Sequence, residues 1–562
     1  MFYLGNSMEP TVPVEEPEQA DSPAPAEAPA PPEGLAPEED PGPEAPEPGD
    51  EPAPAESEQM MAYPLETNGE VVTILTAMPG NVNQIYSDWN EHMCLPYMME
   101  ATGVDVDIIS MSQETMTEQF QLMVVSGDWP NLCNASGSYT GGLAQAFADD
   151  FVIELSEDML KEAAPDYYST LMTYSEEIIR STKVNNSWLA FYGLADGYLK
   201  NRGMVIRTDW LDEQGLEVPK TLDEFTNVLR TFKDAYDPQF TFWLEDDADM
   251  IYITAPFNTY TVGYKNNGTL PNYIQGDQVL CAWSTDEYRT FVEWFREQYA
   301  YGVFDQEFYS TFSNSPNDRY SYLINGKIGV LEDSCSSHDD WQQYATEGQT
   351  VEISSMPDLV DENGNDTWGD DEQVLGSTLS ITATCDCPEL CLNLMNFFYT
   401  PDGIMMANYG IPGVSYEIGE DGNVQFTDLI VHSTLNMSIG AKLGCYCMSN
   451  FFPYYQYATR MFPLYSQEII DNIAILNDSS ITAEHNFPSG CSLTSEESDS
   501  ISGKITDITT YSQEALLKFM TGAIELNDES WNAYVDQLYG YGLQDCMDVY
   551  QNAYDEFRAG IR

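Results

Sequence analysis

From Glu70 to Asn134 the sequence switches back and forth between two hydrophobic periods, and that alternation restricts the fold more than any other feature. The run "EVVTILTAM" (70–78) is short, apolar and rich in β-branched residues, the pattern of a buried strand, and "GVDVDIIS" (103–110) repeats it. Between and after these runs Tyr86, Trp89, Met93 and Tyr97, then Met116, Phe120, Met123 and Val124, recur at helical spacing, before "SGDWPNLCNASG" (126–137) reads as a loop. The order is β-α-β-α-β. Strands separated by helices pair in parallel under a helical cover, and such sheets bind ligands in the crevice beyond the strand C-termini. The fold class is α/β.

Further strands are expected at "NNSWLAFYGLADG" (185–197), "GMVIRTDW" (203–210), "NGKIGVLED" (325–333) and "STLSITATC" (377–385), and residues 430–562 read as mostly helical. Residues 208–225, "TDWLDEQGLEVPKTLDEF", form a corner. Gly215 ends one helix in a left-handed conformation, Pro219 bars its continuation, and Thr221 with Glu224 makes a capping box that starts the next. With 562 residues and 43% hydrophobic content the chain can bury more than one core. The expected division is a tether over 1–62, a first α/β lobe over 63–235, a second over 236–430, and a helical C-terminal region over 431–562 packing on both.

The tether follows from composition. Glu9 to Glu58 contains no Lys or Arg and is dominated by Pro, Glu and Ala, which stay extended and bury nothing. Across the chain 93 acidic residues face 20 basic ones, a formal charge of −73, which excludes nucleic acid as a partner and disfavours anionic membranes. Such charge suits a surface outside a cell, or a general acidic habit of the source. No run of about 18 apolar residues occurs. The opening "MFYLGNSMEP" is too short and too polar for a secretory signal, so a trimmed export signal is expected before the tether.

Catalytic signatures are scarce. The four histidines, His92, His338, His432 and His485, sit in no nucleophile or metal motif, and H-E-x-x-H, G-x-S-x-G and G-x-x-x-x-G-K do not occur. Carboxylate pairs carry little information among 93 acids. Cys385, Cys387 and Cys391 are closely spaced, but zinc sites commonly add a second pair or histidines. Cys387 at an N-cap, Pro388 at the first helical position and Cys391 on an apolar face favour structural cysteines over a metal cluster. In "DENGNDTWGDDE" (361–372) Asp361, Asn363, Asn365, Thr367 and Glu372 approach a calcium loop, but Asp366 stands where its turn needs glycine, and a polar hairpin tip is the preferred reading. Neither a cofactor nor a metal is expected. Aromatic residues make up 12% of the chain, several in polar loops, and aromatic faces beside Asp, Asn and Glu suit the C–H faces and hydroxyls of a sugar.

The corner also carries a resemblance. Trp210, Gly215, Pro219, Thr221, Glu224 and Phe225, followed in order by "FVEWFREQYAYGVFDQEF" (291–308), "NGKIGVLED" (325–333) and "PELCLNLMNFFYTPDGIMMANYGIPGVSYEI" (388–418), and preceded by "FQLMVVSGDWPNL" (120–132), resemble bacterial extracellular solute-binding proteins of carbohydrate ABC importers. The resemblance spans about residues 70 to 560. It implies a two-lobed periplasmic-binding-protein-like fold of type II, with a hinge between lobes and a helical C-terminal part, closing over an oligosaccharide that is passed to membrane permeases. It also implies a monomeric, extracellular, lipid-anchored protein without enzymatic activity. The corner would brace helices of the first lobe without touching ligand. Expected contacts are Asp128, Trp129 and Tyr139 from the first lobe, facing Trp283, Trp368, Tyr409 and Tyr416 from the second, with an uncharged sugar between them. The calcium loop of some relatives has no counterpart at "KDAYDPQF", and the lipobox cysteine is missing. A glycoside hydrolase and a surface glycan-binding protein without a transporter are the alternatives.

Overall fold

In the computed structural model the described residues are 61–561 apart from 81, 114, 198, 245–246, 261–268, 310–315, 338–350, 362, 365–373, 433–438, 450–451, 479–484, 486, 489–490 and 492. The apolar, β-branched runs become strands β1 (Val71–Met78), β2 (Asp105–Ser112), β3 (Leu132–Cys133), β4 (Phe191–Ala195), β5 (Arg202–Arg207) and β6 (Phe240–Trp243). They continue with β7 (Asn272–Gln275), β8 (Gln278–Cys281), β9 (Ile328–Ser334), β10 (Ile353–Ser355), β11 (Val374–Ile381), β12 (Tyr416–Ile418), β13 (Val424–Phe426) and β14 (Tyr455–Gln456).

Two sheets organise the molecule. The first has six strands in the order β14-β4-β11-β3-β1-β2, and the second has four in the order β10-β5-β9-β6. In the first, every strand but β11 runs the same way. In the second, the odd strand is β5. Those two exceptions decide how the lobes meet. The chain leaves β4 at the carboxyl edge of the first sheet and enters the reversed strand β5 at the carboxyl edge of the second. It returns from the end of β10 to the start of reversed β11, again joining carboxyl edge to carboxyl edge. A third passage leads from β14 to the helix Gln467–Leu476, which lies along β10 and whose Asn472 Oδ1 accepts from the Ser355 amide at 2.5 Å. The three passages therefore form a hinge beside a crevice bounded by both carboxyl edges, the place where open α/β sheets bind ligands.

The hinge is tied at Lys200. Its Nζ pairs with Asp358 Oδ2 of the second passage, both side chains being buried, while its backbone exchanges two hydrogen bonds with Asn477 at 3.0 and 2.8 Å. Each lobe has its own core. Residues Val72, Ile74, Trp89, Leu95, Phe191 and Phe398 belong to the first, and Trp210, Phe225, Phe242, Phe291, Phe295 and Trp531 to the second.

Sheet membership does not follow the expected boundaries. Strand β5 lies before residue 235 yet pairs with β9, whereas β11 and β14, after 236 and 431, sit in the first sheet. Pairing is decided by register between apolar runs and not by chain order, so a contiguous division cannot describe it. The corner is correspondingly relocated. Gly215 does cap the helix Thr208–Gln214 at φ 66°, and Thr221 and Glu224 do form the capping box of Leu222–Tyr236, at 3.3 and 3.2 Å. Both helices pack on the second sheet, with Trp210 stacked on Tyr236 at 4.2 Å and edge-on to Phe232 at 5.2 Å. The last three helices, Ser495–Met520, Asp528–Gly540 and Leu543–Arg558, complete the core of the second lobe. They also touch the first lobe, where Arg180 Nη1 donates to the Phe557 carbonyl at 3.2 Å and the guanidinium lies over its ring.

Candidate functional site

The crevice wall on the first lobe is assembled from the segments just beyond β3, β4 and β14. Asn134 leaves β3 and caps a single helical turn, its Oδ1 accepting from the Gly137 amide at 3.0 Å and from Thr378 Oγ1 at 3.2 Å. Ser136 Oγ lies 2.7 Å from Thr378 Oγ1, so an amide and two hydroxyls share one ledge. Beyond β4, Asp196 is exposed and accepts from the Ala458 amide at 2.7 Å, which pins the first passage to the third. At the end of β14, Tyr455 and Tyr457 are half-buried and meet edge to face at 5.9 Å. Tyr457 leans on the buried Tyr409 at 6.4 Å. Burial pushes the Tyr409 hydroxyl up to about 12, so it stays protonated and able to donate. Arg460 donates to Tyr454 Oη at 2.7 Å behind this group.

On the second lobe the entry to β5 supplies Arg202, half-exposed, which makes two parallel bonds to the buried Glu332 carboxylate at 2.7 and 2.6 Å. Tyr252 Oη adds a weaker donation to Glu332 at 3.4 Å. A bidentate pair fixes the guanidinium plane and neutralises it. The neighbouring Asp333, on the other face of β9, takes a bond from Arg319 Nη2 at 3.0 Å, and burial raises its carboxyl to about 6 against the opposing pull of Arg319.

The expected contact residues divide differently. Asp128 and Trp129 lie in the loop that feeds the start of β3, at the opposite end of the strand from the crevice. Trp129 packs edge-on to Phe151 at 4.6 Å, and its Nε1 donates to the Val124 carbonyl at 3.1 Å. Tyr139 packs on the same Phe151 at 4.9 Å and donates to Asp149 at 2.9 Å, so Trp129 and Tyr139 belong to one apolar cluster around Phe151. Trp283 is fully buried in the core of the second lobe and offers no face to a ligand. Tyr409 and Tyr416 come together at 5.9 Å, both buried, beside β14 of the first sheet and not in the second lobe. Trp368 lies outside the described residues. So does most of the acidic stretch 361–372, where Asp361 is engaged by the Asn363 amide at 2.7 Å and by the Tyr260 hydroxyl.

Of this wall the sequence points to Arg202 as a cation near the sugar, but not to Asn134, Ser136, Tyr455, Tyr457 or Glu332. The sequence "PYYQYATR" (453–460) held a usable signal, since aromatics alternating along a short run suggest an edge strand. A cavity of about 230 Å³ lies elsewhere, under the corner, between Leu216, Val218, Lys220 and Asn227. It has no aromatic lining and stands apart from both carboxyl edges.

A family profile described as bacterial extracellular solute-binding protein matches residues 80–405, more than half of the chain. The chain belongs to that family. Lipoprotein LipO of Bacillus subtilis (strain 168) is 26% identical over 343 residues, a match covering 57% of this binding protein and 63% of LipO, so under two thirds of that relative's length is spanned. The fructooligosaccharide ABC transporter substrate-binding protein FusA of Streptococcus pneumoniae serotype 4 is 24% identical over 508 residues, covering 84% of this chain and 88% of FusA. An extracellular solute-binding protein from Bifidobacterium longum subsp. infantis superposes with a TM-score of 0.67 at 16% identity, over 87% of this chain and 98% of the other. These likenesses identify the two-lobed fold of the solute-binding protein. In that fold the crevice between carboxyl edges is the cleft between lobes.

Proposed function

We propose that this solute-binding protein is the capture component of a carbohydrate ABC importer. It holds an uncharged oligosaccharide between its lobes and delivers it to membrane permeases. The observation that carries the reading is the crevice itself, bounded by both carboxyl edges and hinged by three passages. Its walls offer half-buried tyrosine faces, Tyr455 and Tyr457, for the C–H faces of sugar rings. Asn134, Ser136 and Asp196 offer amide, hydroxyl and carboxylate partners for sugar hydroxyls. Arg202 stands at the entry to β5 with its charge matched by Glu332, which favours neutral over uronate-bearing sugars. The family match and the name of FusA support sugar import.

The protein acts as a monomer outside the cell, held at the surface by a lipid anchor ahead of the Pro/Glu/Ala-rich tether, and it turns over no sugar. Calorimetry on the full chain against neutral and uronate-containing oligosaccharides, with chromatography of the same mixtures afterwards, tests the whole reading. Saturable binding of a neutral oligosaccharide with no products is expected. Sustained cleavage would replace it with a glycoside hydrolase, and preference for uronates would reverse the charge argument.

A further inference from the structure

We propose that Cys385, Cys387 and Cys391 form a three-thiolate site for one thiophilic divalent cation of the zinc class, with the fourth coordination position left to water or an exogenous ligand. The three sulfurs lie within 4.8 Å of one another, and among the described residues this is where three such ligand atoms converge. Cys385 Sγ and Cys391 Sγ are 3.7 Å apart. A tetrahedral ion with Zn–S bonds of about 2.3 Å requires sulfur–sulfur edges of about 3.8 Å, so this edge already fits and the remaining sulfur needs at most about 1 Å of side-chain rotation.

Local structure explains the convergence. After β11 the Cys385 amide donates to the Thr382 carbonyl at 3.0 Å, a turn that folds Cys385 back over the start of the helix Pro388–Phe397. Cys387 is the N-cap of that helix, and the Cys391 amide bonds the Cys387 carbonyl at 3.1 Å, which places the two thiols one turn apart on one face. The spacing C-x-C-x-x-x-C is thus a geometric device, although it lacks the paired pattern of common zinc motifs.

A second observation points the same way. Asn131 Nδ2 is 3.3 Å from Cys385 Sγ, while its Oδ1 accepts from the Thr73 amide at 2.8 Å and from Thr73 Oγ1 at 2.9 Å. The Thr73 donors fix the amide orientation, so an N–H is aimed at the sulfur. That is the outer-shell bond by which ligating thiolates are held and tuned. The amino end of the ten-residue helix adds a positive field for the thiolates. Soft sulfur donors select zinc-class ions over calcium or magnesium. Binding releases the thiol protons to solvent as three Zn–S bonds form, with no change of oxidation state. Because β11 is the reversed strand, the site lies at the edge of the first sheet away from the crevice, and it stands or falls independently of sugar binding.

Cobalt(II) titration of the full chain, reduced and kept free of oxygen, tests the site. One equivalent should produce thiolate-to-metal charge transfer and intense tetrahedral visible bands, both abolished by one equivalent of zinc. Cys387→Ser should weaken the metal at least tenfold, and Cys491→Ser should leave it unchanged. If Cys387→Ser fails to fold, alkylation of the parent decides, since zinc should protect the half-buried Cys385 and Cys387 from iodoacetamide. Absent charge transfer, equal affinity in Cys387→Ser, or unchanged alkylation with zinc would overturn the proposal.

Discussion

Replacing Lys200 by methionine isolates the knot at the hinge. Lys200 and Asp358 carry side-chain exposures of 1% and 6%, so the pair is a buried one and Lys200→Met removes one of its two charges in low dielectric. Breaking such a pair from one side destabilises by about 3–5 kcal/mol. The described residues span 61–561, and at roughly 2.1 cal/mol/K per residue a unit of that length has an unfolding entropy of about 1 kcal/mol/K. If it melts as one unit, Lys200→Met should lower Tm by about 3–5 °C, and by about twice that if one lobe melts alone. Adding Asp358→Leu should restore most of the loss, because an apolar pair of similar volume is near neutral in such a site. Scanning calorimetry on the parent, both single variants and the double variant gives the cycle. A shift under about 1 °C in Lys200→Met, or a double variant as unstable as the two singles added together, would refute the reasoning.

Three further outcomes are expected from the same geometry. Trp129→Ala should reduce stability by about 2–3 kcal/mol, through loss of its packing on Phe151, with sugar affinity intact, whereas Tyr457→Ala should keep stability and weaken sugar binding by about 1–3 kcal/mol; calorimetry with parallel melts separates them. His92, buried beside Trp89 and Tyr86, has its imidazole lowered from 6.5 to about 4 by burial, so the unfolded chain binds the extra proton. Its contribution is complete above about pH 6.5 and lost as pH falls toward 4, on the order of 2 kcal/mol at pH 5, and His92→Phe should flatten the fall in Tm between pH 7 and pH 5. Gly410 has φ 88° and ψ −133°, and a Cβ there would stand 2.3 Å from Ser415 Oγ and 2.5 Å from the Tyr446 carbonyl, so Gly410→Ala should cost more than about 2 kcal/mol in urea unfolding.

The alternation of apolar runs with helical stretches was enough to read an α/β fold, and the capping box at Thr221 and the helix start at Pro388 emerge where local chemistry placed them. What the sequence could not convey was direction. Nothing local marks β5 and β11 as the reversed strands, yet that reversal brings the carboxyl edges together and assigns β11 to the first sheet. The same gap covers Trp129, since a loop before a strand and a loop after it look alike in sequence until the strand's sense is known. Trp283 is fully buried in a core that also takes in Trp531, Tyr534 and Leu538 from far along the chain, so its burial is non-local. Strand β14 has two residues, so the alternation of Tyr455 and Tyr457 is a faint local mark of it in the sequence.

Closure of two lobes on a sugar is the central claim, and small-angle scattering of the full chain titrated with the neutral oligosaccharide it binds tests it most directly. Ligand can shift the population only by binding the closed form better than the open one. The radius of gyration should fall along the binding isotherm measured on the same sample. A constant radius at saturation would contradict a hinged cleft as the binding site.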